Sequence, residues 1–468
     1  MEKCSPQKAG TPDSCRISGA VTLFIVSAVQ FLTPFMLSAV GVALPAIGRE
    51  FSASAVQLGL IETAYILAFS LFLLPAGRMG DIYGRKRVFL LGIGVFTLGT
   101  LLVSLAQGIE SLIVFRFFQG SGGAMITGTS IAILSSVFSP AKRGRAMGVI
   151  VGCVYLGLSV GPVLSGFMVS HLGWRWIFYC AVPVEAAAFL LALLKLKGEW
   201  AEARGERYDW PGTFLYCASL CCCVYGALHR KNLGVEFGLI GGSGLLFFLF
   251  FEYRIKSPML DVNLLLHNRV FALSNLATLI NYAASFGIGF FFSLYLQYVR
   301  GFSPQAAGTV LIIQPVFQAV LSPVFGRLAD RYSPPLLATL GMGFCAAGLG
   351  VAALVHEQTP LPLIMGMLGL MGIGFGIFST PNMITVMGSV GPKHYGVASS
   401  FMATMRTMGM LLCMTLITII FNHFMGDSPV SRETRMDFLA SMHLSMVLFC
   451  GLCVVGVLFS MGRIKDRA

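Results

Sequence analysis

Three ionisable side chains sit where ionisable side chains are expensive. Glu62, Arg116 and Glu185 each fall inside a long apolar run, about two to three helical turns from its polar flank. On insertion scales a charge near the middle of a membrane helix costs roughly 2.5–3.5 kcal/mol, so it is kept where it meets a partner or a water-filled cavity. At ~1.5 Å of rise per residue, Glu62 and Arg116 both lie roughly 10 Å below the same face, and Glu185 somewhat deeper. A carboxyl group that meets an arginine in one conformation and apolar surroundings in another changes its hold on a proton. Such a trio suits proton uptake and release, with Arg116 as modulator. Two plainer readings stand beside it: a static ion pair, and an arginine that snorkels to the surface. Arg406, deep in a later apolar run, raises the same question. Tyr65, Asn281, Gln314 and Asn382 are the polar residues expected to line a cavity with it, or to bond between helices.

The elements that must carry these residues follow from composition. The 468 residues are 56% hydrophobic and 11% charged, which excludes an ordinary soluble domain. Apolar spans of membrane length recur along the whole chain. They are expected near 18–43, 55–77, 87–107, 110–136, 146–169, 174–196, 212–229, 235–253, 269–298, 304–326, 335–355, 360–385, 396–422 and 438–461. The fold class is therefore all-α, a polytopic membrane protein of fourteen helices. Of the 32 basic residues, about 23 fall in loops on the side that carries both termini, and that side reads as cytoplasmic. The net charge of +12 is thus a topology signal rather than a mark of nucleic-acid binding.

The domain organisation reads as a tail over 1–16, a six-helix bundle over 17–196, a linker with two extra helices over 197–268, a second six-helix bundle over 269–461 and a tail over 462–468. No metal or cofactor is expected, because the twelve cysteines lack paired metal-site spacing and the seven histidines are scattered. Cys217, Cys221, Cys222 and Cys223 share one apolar helix, where cysteine serves as a small hydrophobe. Nucleophile–base words are missing too, which argues against an enzyme.

Three further stretches carry information by spacing. Between spans 2 and 3 runs Gly77-Arg78-Met79-Gly80-Asp81-Ile82-Tyr83-Gly84-Arg85-Lys86-Arg87, expected as a very short cytoplasmic loop whose glycines allow a tight reversal. A degenerate echo, Gly326-Arg327-Leu328-Ala329-Asp330-Arg331, occupies the equivalent place in the second half and points to a repeat of six helices. Span 5 holds Gly148, Gly152, Gly157, Gly161-Pro162 and Gly166, expected to bare one helix face for close approach.

Together these words resemble the major facilitator superfamily, and nearly the whole chain is similar to its fourteen-helix drug:H⁺ antiporter family. The resemblance rests on the 77–87 stretch, on Arg116 to Gly123, and on Gly157-x-x-x-Gly161-Pro162-x-x-x-Gly166, which is similar to the antiporter motif of helix 5. Met36 stands where many members carry an aspartate. The resemblance implies two bundles rocking about a midplane cavity, with Gly77, Asp81, Gly84, Arg85 and Lys86 as a cytoplasmic gate and Asp330 and Arg331 as its second-half counterpart. It implies a monomer in the plasma membrane that exports an amphipathic small molecule in exchange for protons. A proton-coupled importer or a lipid or metabolite transporter of the same fold is the alternative; a membrane sensor or enzyme is a remote one.

Overall fold

The computed structural model describes residues 12–463 except 197, 229–233, 256–257, 261, 392–394 and 432. The expected tails therefore fall largely outside the described residues. The first bundle comprises α1 (Pro12–Phe51), α2 (Ala55–Tyr83), α3 (Arg85–Ser104), α4 (Ile109–Val137), α5 (Pro140–His171) and α6 (Arg175–Lys195). Helices α7 (Trp210–Leu228) and α8 (Gly234–Arg254) form a hairpin between the bundles. The second bundle comprises α9 (Arg269–Val299), α10 (Pro304–Leu328), α11 (Pro334–Ala352), α12 (Leu361–Gly388), α13 (Tyr395–Phe424) and α14 (Arg435–Gly462). Among the described residues thirteen of these are long and apolar enough to cross a membrane. The fourteenth, α4, is 29 residues long but diluted by Arg116, Gln119 and a run of Gly, Ser and Thr.

Local chemistry sets the helix ends. Ser54 caps α2 by accepting from the Gln57 N–H at 3.2 Å, while Gln57 Oε1 accepts from the Ser54 N–H at 3.0 Å. Ser303 caps α10 by accepting from the Ala306 N–H at 3.2 Å, with Pro304 in the first turn. Between α2 and α3 the expected loop shrinks to a single residue. Gly84 has φ +118°, a backbone conformation that L side chains rarely adopt, so helix ends and restarts there. Most of the 77–87 stretch is consequently helical, contrary to its reading as a loop.

Helix pairing repeats with an offset of eight elements. The pairs α1–α5, α2–α4, α3–α4 and α3–α6 recur as α9–α13, α10–α12, α11–α12 and α11–α14. The bundles meet through α2–α13 and α5–α10, which are equivalents of one another under that repeat. The hairpin packs outside this frame: Tyr216 of α7 donates to the Ser70 carbonyl of α2 at 2.9 Å, and α7 also touches α13.

The seam between the bundles is closed at one end. On the side away from the termini, Ser293 donates to the Gly41 carbonyl at 2.6 Å, Gln297 to Val42 at 3.1 Å and Tyr298 to Pro45 at 3.0 Å. Ala55 donates across the same seam to the Ser428 carbonyl at 3.1 Å. The glycines of α5 show the other end. At about 100° per residue, Gly157 and Gly161 share one face and abut α1, whereas Gly148, Gly152 and Gly166 lie on the opposite face, toward the second bundle. The expectation of a single bare face is thus corrected to two. Gly166 is pressed against Pro304 of α10, but a Cβ on Gly148 or Gly152 would meet nothing within 4 Å. The bundles are sealed on one side and splayed on the side of the termini.

Candidate functional site

The three buried charges come together. Glu62 on α2 faces Arg116 on α4 with 3.5 Å between Oε2 and Nη2, close enough for an ion pair and too long for a hydrogen bond. Arg116 also stacks its guanidinium over the Tyr65 ring, 4.3 Å from the centroid. Its Nη1 donates to Gln119 Oε1 at 2.7 Å, and Gln119 Nε2 donates to Thr100 Oγ1 on α3 at 2.8 Å. Thr100 in turn donates to Glu185 Oε1 on α6 at 3.2 Å. A continuous polar chain thus links Glu62 to Glu185 through four helices, and every member is buried.

Glycine makes this convergence possible. Gly120 lies against the Tyr65 backbone, Gly99 against the Gln119 backbone and Gly122 against Phe96, so α4 touches α2 and α3 main chain to main chain. The chain leaves several polar atoms without hydrogen bonds: both oxygens of Glu62, Glu185 Oε2, Arg116 Nε and Nη2, and Tyr65 Oη. It is also unbalanced in charge, since two carboxylates face one guanidinium. One proton neutralises it. Thr100 has a single proton and two acceptors in reach, the Phe96 carbonyl at 2.9 Å and Glu185. A protonated Glu185 donates to Thr100 and releases the threonine proton to Phe96, whereas an ionised Glu185 competes for it. Gln119 and Thr100 were not among the residues singled out by sequence, although Gln119 falls in the same stretch as Arg116.

The basic turn at the end of α2 is bound by the linker that follows α6. Arg85 reaches Asp81 at 2.7 Å, Ser136 at 2.7 Å and Glu202 at 2.8 Å. Arg78 pairs with Glu206 at 2.6 Å, and Glu199 accepts from the Lys86 N–H at 2.9 Å. Backbone bonds from Arg85 N to Trp200 O and from Ala203 N to Asp81 O complete the strap. At Gly84 the positive φ disfavours any side chain, and a Cβ there would also displace the Glu199 carboxylate, while Gly77 passes beside the Gly128 carbonyl. In this conformation the turn's charges thus face the linker and α4. The three linker glutamates went unnoticed in sequence, although their spacing of three and four residues opposite a basic turn was the available signal. The second-half counterpart has no such strap. Asp330 and Arg331 are exposed, and neither forms an ion pair among the described residues.

Residues expected to line a cavity divide into two groups. Tyr65 and Asn281 are buried, and neither Asn281 amide atom has a partner. Asn382 is buried too, because it ties its own bundle together: it donates to Thr278 Oγ1 at 2.8 Å and to the Ser274 carbonyl at 3.2 Å, and accepts from Arg463. That contact places Arg463, which falls in the expected 462–468 tail, wholly inside the bundle. Gln314 and Arg406 remain part-exposed at mid-helix. A recess of about 510 Å³ lies on the sealed side, between Arg49, Gln297, Tyr298 and Pro429, and holds none of these residues.

Residues 26–412 and 274–467 match the sequence profile of the Major Facilitator Superfamily. The chain is 26% identical over 443 residues to the riboflavin transporter RibZ of Clostridioides difficile, covering 94% of this chain and 96% of that one. It is 31% identical over 380 residues to the multidrug resistance protein Stp of Mycobacterium tuberculosis, covering 79% and 70%. The puromycin resistance protein pur8 of Streptomyces alboniger is 30% identical over 440 residues, with 91% and 86% covered. In fold, the chain is similar to a bacterial homologue of the human lysosomal transporter Spinster in its inward-facing, unoccupied conformation. That match has a TM-score of 0.69 at 16% identity and covers 98% of each chain.

Proposed function

Because the chain belongs to the Major Facilitator Superfamily and is a membrane transporter rather than an enzyme, we propose that it exports amphipathic small molecules in exchange for protons. The observation that carries this reading is the buried chain from Glu62 to Glu185, which is neutral with one proton aboard and charged without it. A charged cluster sealed from water is unfavourable. Loss of the proton therefore favours a conformation that lets water reach the carboxylates, and this is how a proton gradient drives alternating access. The splayed side is the cytoplasmic one in this proposal, in keeping with the distribution of Lys and Arg, and both termini lie there in the plasma membrane. Asp81, Arg85 and their neighbours act as the gate on that side. The protein works as a monomer. The 38 Phe and 23 Met suit loose recognition of apolar bodies. Export is favoured by the relatives named for multidrug and puromycin resistance.

Proteoliposomes with a pH difference test this reading, with puromycin as the probe. Substrate-triggered proton movement opposite to substrate is expected in the wild type and lost in Glu62→Gln, Glu185→Gln or the double variant, while exchange without a gradient persists. Full gradient-driven transport in all three variants would falsify the assignment. A second reading, transport of a riboflavin-like metabolite, is favoured by the full-length match to RibZ. Riboflavin moving in the same direction as the proton, with puromycin not carried, would establish it in place of drug export.

A further inference from the structure

Among the described residues Arg406 is a cation without an anion. It follows Tyr395, the first residue of α13, by eleven positions, which places it about 16 Å along the helix. Within α9 to α14 it is the one Asp, Glu, Lys or Arg more than about two turns from a helix end. The second bundle therefore has no acid at that depth to offer it. It forms no ion pair among the described residues, and its Nε has no hydrogen-bond partner. In the first bundle Glu62 faces Arg116 and Glu185 bonds to Thr100, so both acids are engaged in their own chain.

The surroundings of Arg406 resemble one wall of a ligand site. Its guanidinium interacts with the Tyr282 hydroxyl on α9, and Tyr155 of the first bundle is near enough to that hydroxyl to interact with it electrostatically. The Tyr282 ring meets Phe375 edge to face, 5.5 Å between centroids. Tyr155 donates to Ser379 Oγ on α12 at 3.0 Å, so the seam between the bundles passes through this group. Arg406 and Tyr155 are both part-exposed, and Gly148 and Gly152, on the seam-facing side of α5 toward the termini, are open. A cation, a hydroxyl and aromatic rings together at an opening seam match an anionic head on an aromatic body.

We infer that Arg406, with the Tyr282 hydroxyl, receives an anionic group of the transported molecule, such as a carboxylate or an ionised phenol attached to an aromatic body. The substrates then include amphiphilic anions or zwitterions. The inference rests on the transporter reading and not on which ion drives it.

Equilibrium binding to the purified full-length protein tests it with three dansyl probes of one ring system: dansylglycine, its methyl ester and the cation dansylcadaverine. The wild type is expected to bind dansylglycine at least about tenfold more tightly than the other two, the range of a charge-assisted contact. Arg406→Gln is expected to abolish that preference while holding ester affinity within about twofold, and Arg406→Lys to keep part of it. Tyr282→Phe, which removes only the hydroxyl, is expected to weaken dansylglycine alone. A wild type that binds none of the probes, or shows no preference for the carboxylate, overturns the inference. So does a preference that survives Arg406→Gln. No proton gradient is present in this assay, so its outcome does not depend on the coupling assignment and the two can fail separately.

Discussion

The two bundles share one scheme of helix pairing and differ in what they bury. In the first, two carboxyl groups and an arginine are threaded by Gln119 and Thr100 into one chain across four helices. In the second, the corresponding pairs stand with no carboxylate at that depth, and the buried cation Arg463 is held by Asn382 and Ser460, both neutral. The same architecture is thus built without acids. Helix pairing of this kind therefore does not by itself call for acids, which is what motivates the proposal that the glutamates of the first bundle serve coupling. The termini-side turns differ in parallel: the first is strapped by Glu202 and Glu206, whereas Asp330 and Arg331 of the second form no ion pair among the described residues.

Replacing the two mid-helix arginines sharpens this contrast most. Arg116→Ala strips Glu62 and Gln119 of their partner inside the protein, and a loss on the order of 3–5 kcal/mol is expected. Arg406→Ala removes a part-exposed group with no ion pair and should change stability by less than about 1 kcal/mol. Thermal unfolding in detergent measures both; equal losses would erase the distinction between the bundles.

The two faces of α5 come next. Gly161→Ala drives a methyl group into Ser38 and is expected to cost about 1–3 kcal/mol. Gly148→Ala, which meets nothing within 4 Å in this conformation, should be neutral or stabilising by up to about 1 kcal/mol. The same substitution would slow any step that closes the splayed side, so exchange rates check whether this face packs during the cycle.

Thr100→Val cuts the link between Gln119 and Glu185 and should cost about 1–3 kcal/mol. It is also expected to flatten the dependence of transport on pH, and Thr100→Ser should restore both. A pH profile unchanged in Thr100→Val would mean that the two glutamates act independently. The smallest effect belongs to the strap. Glu206 is 46% exposed, so Glu206→Gln should cost less than about 1 kcal/mol. Its effect on transport rate should vanish in high salt, where exposed charges are screened.

Much of this was legible without coordinates. Run length and charge spacing account for the fourteen helices, because a bilayer demands a near-constant apolar length and strands its charges at the surface. The echo of Gly326 to Arg331 against the 77–87 stretch anticipated the repeat that helix pairing displays. Isolated charges in apolar runs announced Glu62, Arg116 and Glu185, since their cost is a property of one helix in oil. Their partners were not announced. Thr100 and Gln119 are ordinary polar residues until glycines at 99, 120 and 122 bring α3 and α4 into backbone contact.

The sequence by itself determined which residues would be out of place in a membrane, because transfer from water to hydrocarbon is settled residue by residue. Only the tertiary structure decided which of them meet. That is why, among the described residues, Arg116 has a carboxylate and Arg406 has none, why Asn382 braces a bundle instead of lining a cavity, and why the glycines of α5 serve two faces. Contacts between helices depend on rotation and approach distance, and neither is written in the spacing of a single span.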